Sequence, residues 1–208
     1  MIDQLDRRRR MHDTEGTVPD TDEGNLPALR HRLARVARGR GLLDVAYRTV
    51  DSPVGALLLA GTDRGLVRVA YAEEGHEAVL ARLASEISPR ILRTPARLDA
   101  AARQLDEYFT GCRVRFGLPL DLRLAPGFRR DVLTRLPEIA YGGTASYLQV
   151  AAAAGRPRAA RAVGTACAGN PLPIVLPCHR VVHRDGSLGN YLGGAETKRA
   201  LLTLEATR

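Results

Sequence analysis

Strand-type patterning in this chain ends well before the chain does, and that restricts its fold more than any other feature. Residues 45–50, 54–60 and 66–71 are short β-type runs, separated by the turn signals Asp51-Ser52-Pro53 and Gly61-Thr62-Asp63-Arg64-Gly65. They predict an antiparallel meander. Helical patterns follow over 75–87 and 96–109 across a proline-containing link, and 114–122 returns to strand character. Beyond Pro126 the pattern is helical: Phe128, Val132, Leu133 and Leu136 share one face of a helix over 127–136. A second helix over 146–154 has Ser146 as its cap and breaks at Gly155-Arg156-Pro157. A third, over 158–168, stops at Gly169. The fold class is therefore α+β: an N-terminal antiparallel-sheet domain with helices over 41–122, then a mainly helical C-terminal domain with a helix-turn-helix over 123–208.

Ahead of these lies an N-terminal extension, 1–40. Residues 1–25 mix Arg, Asp, Thr, Gly and Pro without apolar periodicity and predict a disordered tail. Leu26, Leu29, Leu33 and Val36 have helical spacing among arginines, which predicts a basic helix packed on the surface. No apolar run approaches the ~18 residues of a membrane span, and Arg7 to Arg10 lead into no apolar stretch of a secretory signal. A soluble, cytoplasmic, monomeric protein with no membrane partner is expected. Three irregularly spaced cysteines, Cys112, Cys167 and Cys178, argue against a disulfide framework, and no C-x-x-C pair suggests structural zinc.

Of the net charge of +8, residues 121–208 carry 12 basic and 6 acidic side chains, or +6. Such a segment suits a polyanion such as nucleic acid. Thirty of the 31 basic residues are arginine, so overall composition contributes to the excess as well. Within that segment the third helix is built of small residues, with Arg161 its only charge after Arg158. Small side chains let a helix lie close to DNA and read it by shape; the same composition also suits an alanine-rich core helix.

The same segment contains Pro177-Cys178-His179-Arg180-Val181-Val182. A thiol beside an imidazole suggests a nucleophile with its base, because the thiolate is the reactive form and a free cysteine is mostly protonated at neutral pH. Neighbouring residues in extended backbone point to opposite sides, so one bridging water between Cys178 and His179 is expected in place of direct contact. Cys112 and Cys167 read as inert small hydrophobes. Asn170, directly before Pro171, can bond neighbouring backbone and tie the third helix to the cysteine segment.

The ordered set Asn170-Pro171, PCHRVV (177–182), Gly186, GNYLGG (189–194), Lys198 and LLTLE (201–205) resembles the O6-alkylguanine-DNA alkyltransferases, also called methylated-DNA–protein-cysteine methyltransferases. PLDLR (119–123), Phe128, IAYGGTASY (139–147) and ARAVGTACAGNP (160–171) agree with it, and the resemblance runs from about Asp44 to Glu205. It implies a winged-helix-like C-terminal domain that holds the active-site cysteine. It also implies a single-turnover reaction in which Cys178 takes the alkyl group from O6-alkylguanine in double-stranded DNA, with O4-alkylthymine left open as a second substrate. The roles it implies are His179 as base through water, Glu205 orienting His179, Tyr147 contacting the rotating phosphate and guanine N3, and Arg161 filling the gap left by the flipped base. Ala160 and Thr165 would add DNA contacts, while Pro173, Val181, Tyr191, Leu192 and Lys198 would surround the alkyl pocket. Lys198, the only lysine, is expected to face the site or form an ion pair. No metal or diffusible cofactor is implied.

Two other readings share this fold: a damage sensor that transfers nothing, and a helix-turn-helix transcription regulator. The joint presence of Cys178, His179 and Glu205 argues against the first, and the lack of a cysteine-rich metal module against the second. One departure from the family stands out: Val132-Leu133 replaces a common valine-tryptophan pair, and the chain has no tryptophan.

Overall fold

The structure, a computed structural model, describes residues 43–207 together with Leu29, Arg32 and Val36. The tail expected over 1–25 lies outside these residues. Of the expected basic helix, the three described positions are helical, and Leu29 and Val36 are 53% and 43% exposed, so the predicted packing face is unpacked at both.

Strands β1 (Val45–Val50), β2 (Leu57–Thr62) and β3 (Gly65–Tyr71) form the expected antiparallel meander, with Ala46 opposite Gly61 and Thr62 opposite Gly65. β2 begins three residues later than the pattern suggested. Val54 belongs to a turn in which its N–H is bonded to Ser52 Oγ and Gly55 adopts φ 92°. The sheet is mixed, because β4 (Ile91–Arg93) pairs parallel with β1 and gives the order β3-β2-β1-β4. Three residues are too few to show alternation, so this strand left no readable signal. The strand expected over 114–122 reduces to one bridge, Leu66 with Leu120. Pro119 has no N–H to offer a ladder, and only its carbonyl is used, by Leu66 N–H at 2.9 Å.

Both faces of the sheet are covered, which explains the unbroken apolar run of β2. Leu58 and Ala60 face helix α1 (His76–Glu86) through Val79 and Leu83. Leu57 and Leu59 point the other way, toward Leu98, Leu105 and Tyr108 at and beyond the start of helix α2 (Asp99–Phe109). On that side the sheet also packs directly on the C-terminal half in one continuous core reaching Leu201. Burying a leucine in such a core stabilises by about 2 kcal/mol, so the shared core binds the two halves firmly.

In the C-terminal half, helix α3 (Phe128–Arg135) is followed by α4 (Tyr147–Ala153) and α5 (Ala160–Ala168). Ser146 caps α4 by accepting the Gln149 N–H, and Gln149 returns the bond in a capping box. Val132 and Leu133 on α3 are both fully buried, so the smaller residue at 133 alters packing in the core alone. A parallel pair of two-residue strands, β5 (Ala145–Ser146) and β6 (Val181–Val182), joins the start of the helix-turn-helix to the cysteine segment. Helix α6 (Gly194–Ala206) closes the chain. Among the described residues no helix is long and apolar enough to cross a membrane.

Candidate active site

Residues 170–182 are buried without interruption between α5 and β6. Asn170 organises this segment. Its Oδ1 accepts the Leu172 N–H at 2.9 Å, while its Nδ2 donates to Leu176 O at 2.8 Å and to Cys178 Sγ at 3.1 Å. The loop between folds over these bonds, and Ile174 inside it adopts φ 72°. A β-branched residue in the left-handed region costs about 1–2 kcal/mol, held here by complete burial of its side chain.

Cys178 opens a 3-10 turn, Cys178–Arg180, where an extended strand was expected. The turn, like a strand, keeps the two side chains apart: no hydrogen bond joins Cys178 Sγ to His179. Cys178 is 2% exposed. Burial pushes its thiol up to about 11, only partly offset by the Asn170 amide and the nearby Lys198 charge. The thiol therefore rests protonated, further from ionisation than a free cysteine, and its need for a base is the greater.

His179 Nε2 lies 2.8 Å from Glu205 Oε1, both side chains fully buried. The carboxylate can only accept, so Nε2 carries the hydrogen and Nδ1 keeps its lone pair. Nδ1 is buried with no hydrogen-bond partner, as a site for a bridging water would be. Burial lowers the His179 pKa despite the pull of Glu205, so the imidazole is neutral at pH 7.

Glu205 sits near the end of α6 and receives five hydrogen bonds. Arg180 supplies two, Nε to Oε2 at 2.8 Å and Nη2 to Oε1 at 3.0 Å; Tyr108 Oη donates to Oε1 at 2.7 Å and Gly142 N–H to Oε2 at 3.2 Å; His179 is the fifth. Burial raises its pKa, but the His179, Arg180 and Tyr108 donors outweigh that and hold it at about 2. Gly142 has φ 74°, and a Cβ there would stand 2.9 Å from Glu205 O, so the close approach requires glycine.

Lys198 is fully buried and, among the described residues, forms no ion pair, contrary to one expectation. Its ammonium donates to Val181 O at 2.7 Å and to Leu188 O, tying the two arms of the loop after β6 together. Burial lowers its pKa.

The residues expected to face DNA gather elsewhere. A cleft of about 630 Å³ is lined by Tyr147, Ala160, Arg161, Thr165, His183 and Gly189, among others. Arg161 and Thr165 are exposed on α5, and Tyr147 is half-buried with its ring 5.2 Å from that of His183. Gly189, at φ 63°, leaves room for both, since a Cβ there would meet Tyr147 Oη at 2.6 Å. The residues expected around an alkyl pocket do not line this cleft. Pro173 and Val181 are buried in the same segment as Cys178, Tyr191 hydrogen-bonds Tyr71 through their hydroxyls at 2.7 Å, and Leu192 borders a separate cavity with Asn170 and Arg68. All three cysteines are free; Cys167 is buried, whereas Cys112 is exposed and not the core residue expected. Among the described residues no three His, Cys, Asp or Glu side chains converge as metal ligands.

The geometry is thus a buried thiol, a neutral base and an anchored carboxylate behind a helix-turn-helix. Two family models match the chain. Residues 45–122 match the ribonuclease-like domain of 6-O-methylguanine DNA methyltransferase, and residues 127–207 match its DNA binding domain. The chain belongs to the 6-O-methylguanine DNA methyltransferase family. Among its relatives is the methylated-DNA–protein-cysteine methyltransferase of Mycolicibacterium paratuberculosis, 42% identical over 161 residues, covering 77% of this chain and 92% of that protein. The human protein of the same name is 38% identical, covering 77% and 80%. A crystal structure of Mycobacterium tuberculosis O6-methylguanine methyltransferase superposes with TM-score 0.70 at 41% identity, covering 79% of this chain and 94% of that one. Another, of the M. tuberculosis protein in complex with DNA, gives TM-score 0.68 at 40% identity, covering 78% and 93%.

In this methyltransferase the sequence reading missed Arg180, Tyr108 and Gly142. Arg180 had a signal: the one arginine in the largely apolar run 171–182 is carried into the interior with it, and a buried cation needs an acidic partner. Tyr108 had none, since helical spacing marks it as core without saying where its hydroxyl goes. Replacing Asn170 by alanine strips three hydrogen bonds from a buried loop and removes a group that favours the Cys178 thiolate. Urea unfolding is expected to register a loss of about 2–4 kcal/mol, with slower alkyl transfer; unchanged stability would show that the loop holds without Asn170.

Proposed function

We propose that this protein repairs DNA by direct reversal, moving the alkyl group of O6-alkylguanine onto its own Cys178 in a reaction that consumes the protein. The observation that carries this reading is the connected pair Glu205–His179 Nε2, with His179 Nδ1 buried and unpartnered and the thiol of the preceding residue desolvated.

The step balances as follows. The thiol proton passes through a water to His179 Nδ1, and Cys178 Sγ attacks the alkyl carbon. The C–S bond forms as the C–O6 bond breaks; its electron pair leaves with the guanine, which takes up one proton. Glu205 stabilises the imidazolium formed in transit. The product is a thioether, and no group in the site can cleave it. All relay residues come from one chain, which fits a monomer, and a reducing cytoplasm would keep Cys178 a thiol.

Cys178 is too buried to meet a base inside a duplex, so the nucleotide must be extruded, at a cost of a few kcal/mol. Arg161, exposed on α5, would occupy the vacated stack, and Tyr147, lining the same cleft, would meet the rotated phosphate and guanine N3. Ala160 and Thr165 line the same cleft against the backbone. Pro173, Val181, Tyr191 and Leu192 are assigned to the alkyl pocket, with Lys198 fixing the loop that carries Tyr191.

Incubation with duplex DNA containing O6-methylguanine should add one methyl mass to the peptide containing Cys178, with restored guanine in stoichiometric yield. An unmodified peptide beside unrepaired DNA would overturn the assignment. A transferred methyl on another cysteine would relocate the acceptor.

A further inference from the structure

Tyr108 stands on α2 in the N-terminal domain, 97 residues before the carboxylate it touches. We infer that Tyr108 is a positioning residue for alkyl transfer, setting through Glu205 the orientation and basicity of His179. The inference rests on the relay proposed above.

Glu205 Oε1 is shared by three donors: the Tyr108 hydroxyl at 2.7 Å, His179 Nε2 at 2.8 Å and Arg180 Nη2 at 3.0 Å. Each donor draws electron density from the oxygen that holds the imidazole. The phenol therefore moderates the pull on His179 while fixing where the carboxylate points. Among the described residues, the other groups bonded to Glu205 are His179, Arg180 and the Gly142 N–H, all from the C-terminal half. The charges of Arg180 and Lys198 also act on His179, and the Tyr191 ring meets its ring edge-on at 6.3 Å between centroids.

The hydroxyl cannot drift. The Tyr108 ring is fully buried, with Phe109 at 5.3 Å, Phe116 at 5.5 Å and Tyr141 at 6.2 Å between centroids. Arg180, the other strong donor to Glu205, lies over that same Tyr141 ring at 5.6 Å. Burial and the Glu205 charge push the phenol pKa far up, so Tyr108 stays a donor at every pH where the protein is folded. Through this hydrogen bond the sheet domain reaches the carboxylate that holds His179.

Tyr108→Phe removes that donor and little else. Oε1 becomes more basic, His179 is protonated more readily, and its Nδ1 is blocked at higher pH. In single-turnover assays on O6-methylguanine DNA, the midpoint of the acid limb is expected to move to higher pH, and the plateau rate to fall about 3- to 10-fold. Phe116→Leu perturbs the same aromatic cluster without touching Glu205 and is expected to leave both quantities unchanged. The inference is overturned if Tyr108→Phe keeps the wild-type midpoint and plateau, or if Phe116→Leu moves them equally. A wild-type protein that transfers nothing would sink the proposed function, and this inference with it. If the wild type shows an acid limb that Tyr108→Phe leaves in place, only this inference fails. Should Tyr108→Phe not fold, site-specific 3,5-difluorotyrosine at position 108, a stronger donor, is expected to shift the midpoint to lower pH. An unchanged midpoint there counts against the inference.

Discussion

Replacing Glu205 by glutamine is expected to slow alkyl transfer by about 100- to 1,000-fold and to lower stability by about 3–5 kcal/mol. The amide has one acceptor oxygen where the carboxylate has two, and its NH2 would point at the donors of Arg180 or of Tyr108 and His179. Arg180, 5% exposed, would keep a buried charge without its counter-charge. That uncompensated cation dominates the stability loss, since breaking a buried pair from one side costs more than the pair contributed. The rate falls because the imidazolium formed during transfer loses its stabilising anion.

The same pair makes the fold acid-sensitive. Glu205 is held at about 2 against an ordinary 4.5, so its contribution is complete above 4.5 and is lost as pH falls toward 2. Across that interval it amounts to about 3 kcal/mol. His179 acts in the same direction: its folded pKa lies below the ordinary 6.5, so the unfolded chain takes up the proton first and stability drops as pH falls below 6.5. Urea unfolding between pH 7 and pH 3 should show this decline in the wild type and a shallower one in Glu205→Gln. Wild-type stability and transfer rate in the variant would remove Glu205 from the relay.

The helical half of the fold was legible because its signals are local. Ser146 with Gln149 three residues on, the break at Gly155-Arg156-Pro157 and the stop at Gly169 all act within one turn of chain, and each stands where the pattern put it. The sheet was legible only in part. β4 is a three-residue parallel partner recruited from a distance, and 114–122 alternates like a strand but contains Gly117 and Pro119. Periodicity reports which side of a segment is apolar and not whether a neighbour exists to pair with it.

At the site, Cys178 and His179 were readable from adjacency and family resemblance, and Glu205 from resemblance alone. Their electrostatics were not readable. The thiol's surroundings come from the fold of the 170–182 loop over Asn170, and desolvation there outweighs the neighbouring positive charge. Likewise a C-terminal glutamate in a helix reads as solvated until the tertiary structure brings Arg180, Tyr108 and Gly142 to it. Burial and the donors it gathers are properties of the packed chain: burial raises the thiol's pKa, and the donors around Glu205 lower the carboxyl's against burial.

The second large effect expected is in the pH dependence of transfer when the base is removed. With its thiol pushed up to about 11, Cys178 unaided would be ionised in roughly one molecule in ten thousand at pH 7, equivalent to about 5 kcal/mol of activation. His179, neutral down to below 6.5, removes that proton within the transition state, so the wild-type rate should rise through an acid limb below 6.5 and then run nearly level. In His179→Gln no base is present, and the rate must follow direct ionisation of the thiol. Its logarithm should climb about one unit per pH unit toward pH 11, with the deficit against wild type greatest near pH 7, about 100- to 1,000-fold, and narrowing steadily above it. Circular dichroism would confirm that the variant is folded over the range measured. Parallel curves, displaced by a constant factor, would mean that His179 shapes the site without accepting the proton. Converging curves require that the thiol proton leave through the imidazole, because only a route that bypasses the base can recover as hydroxide replaces it.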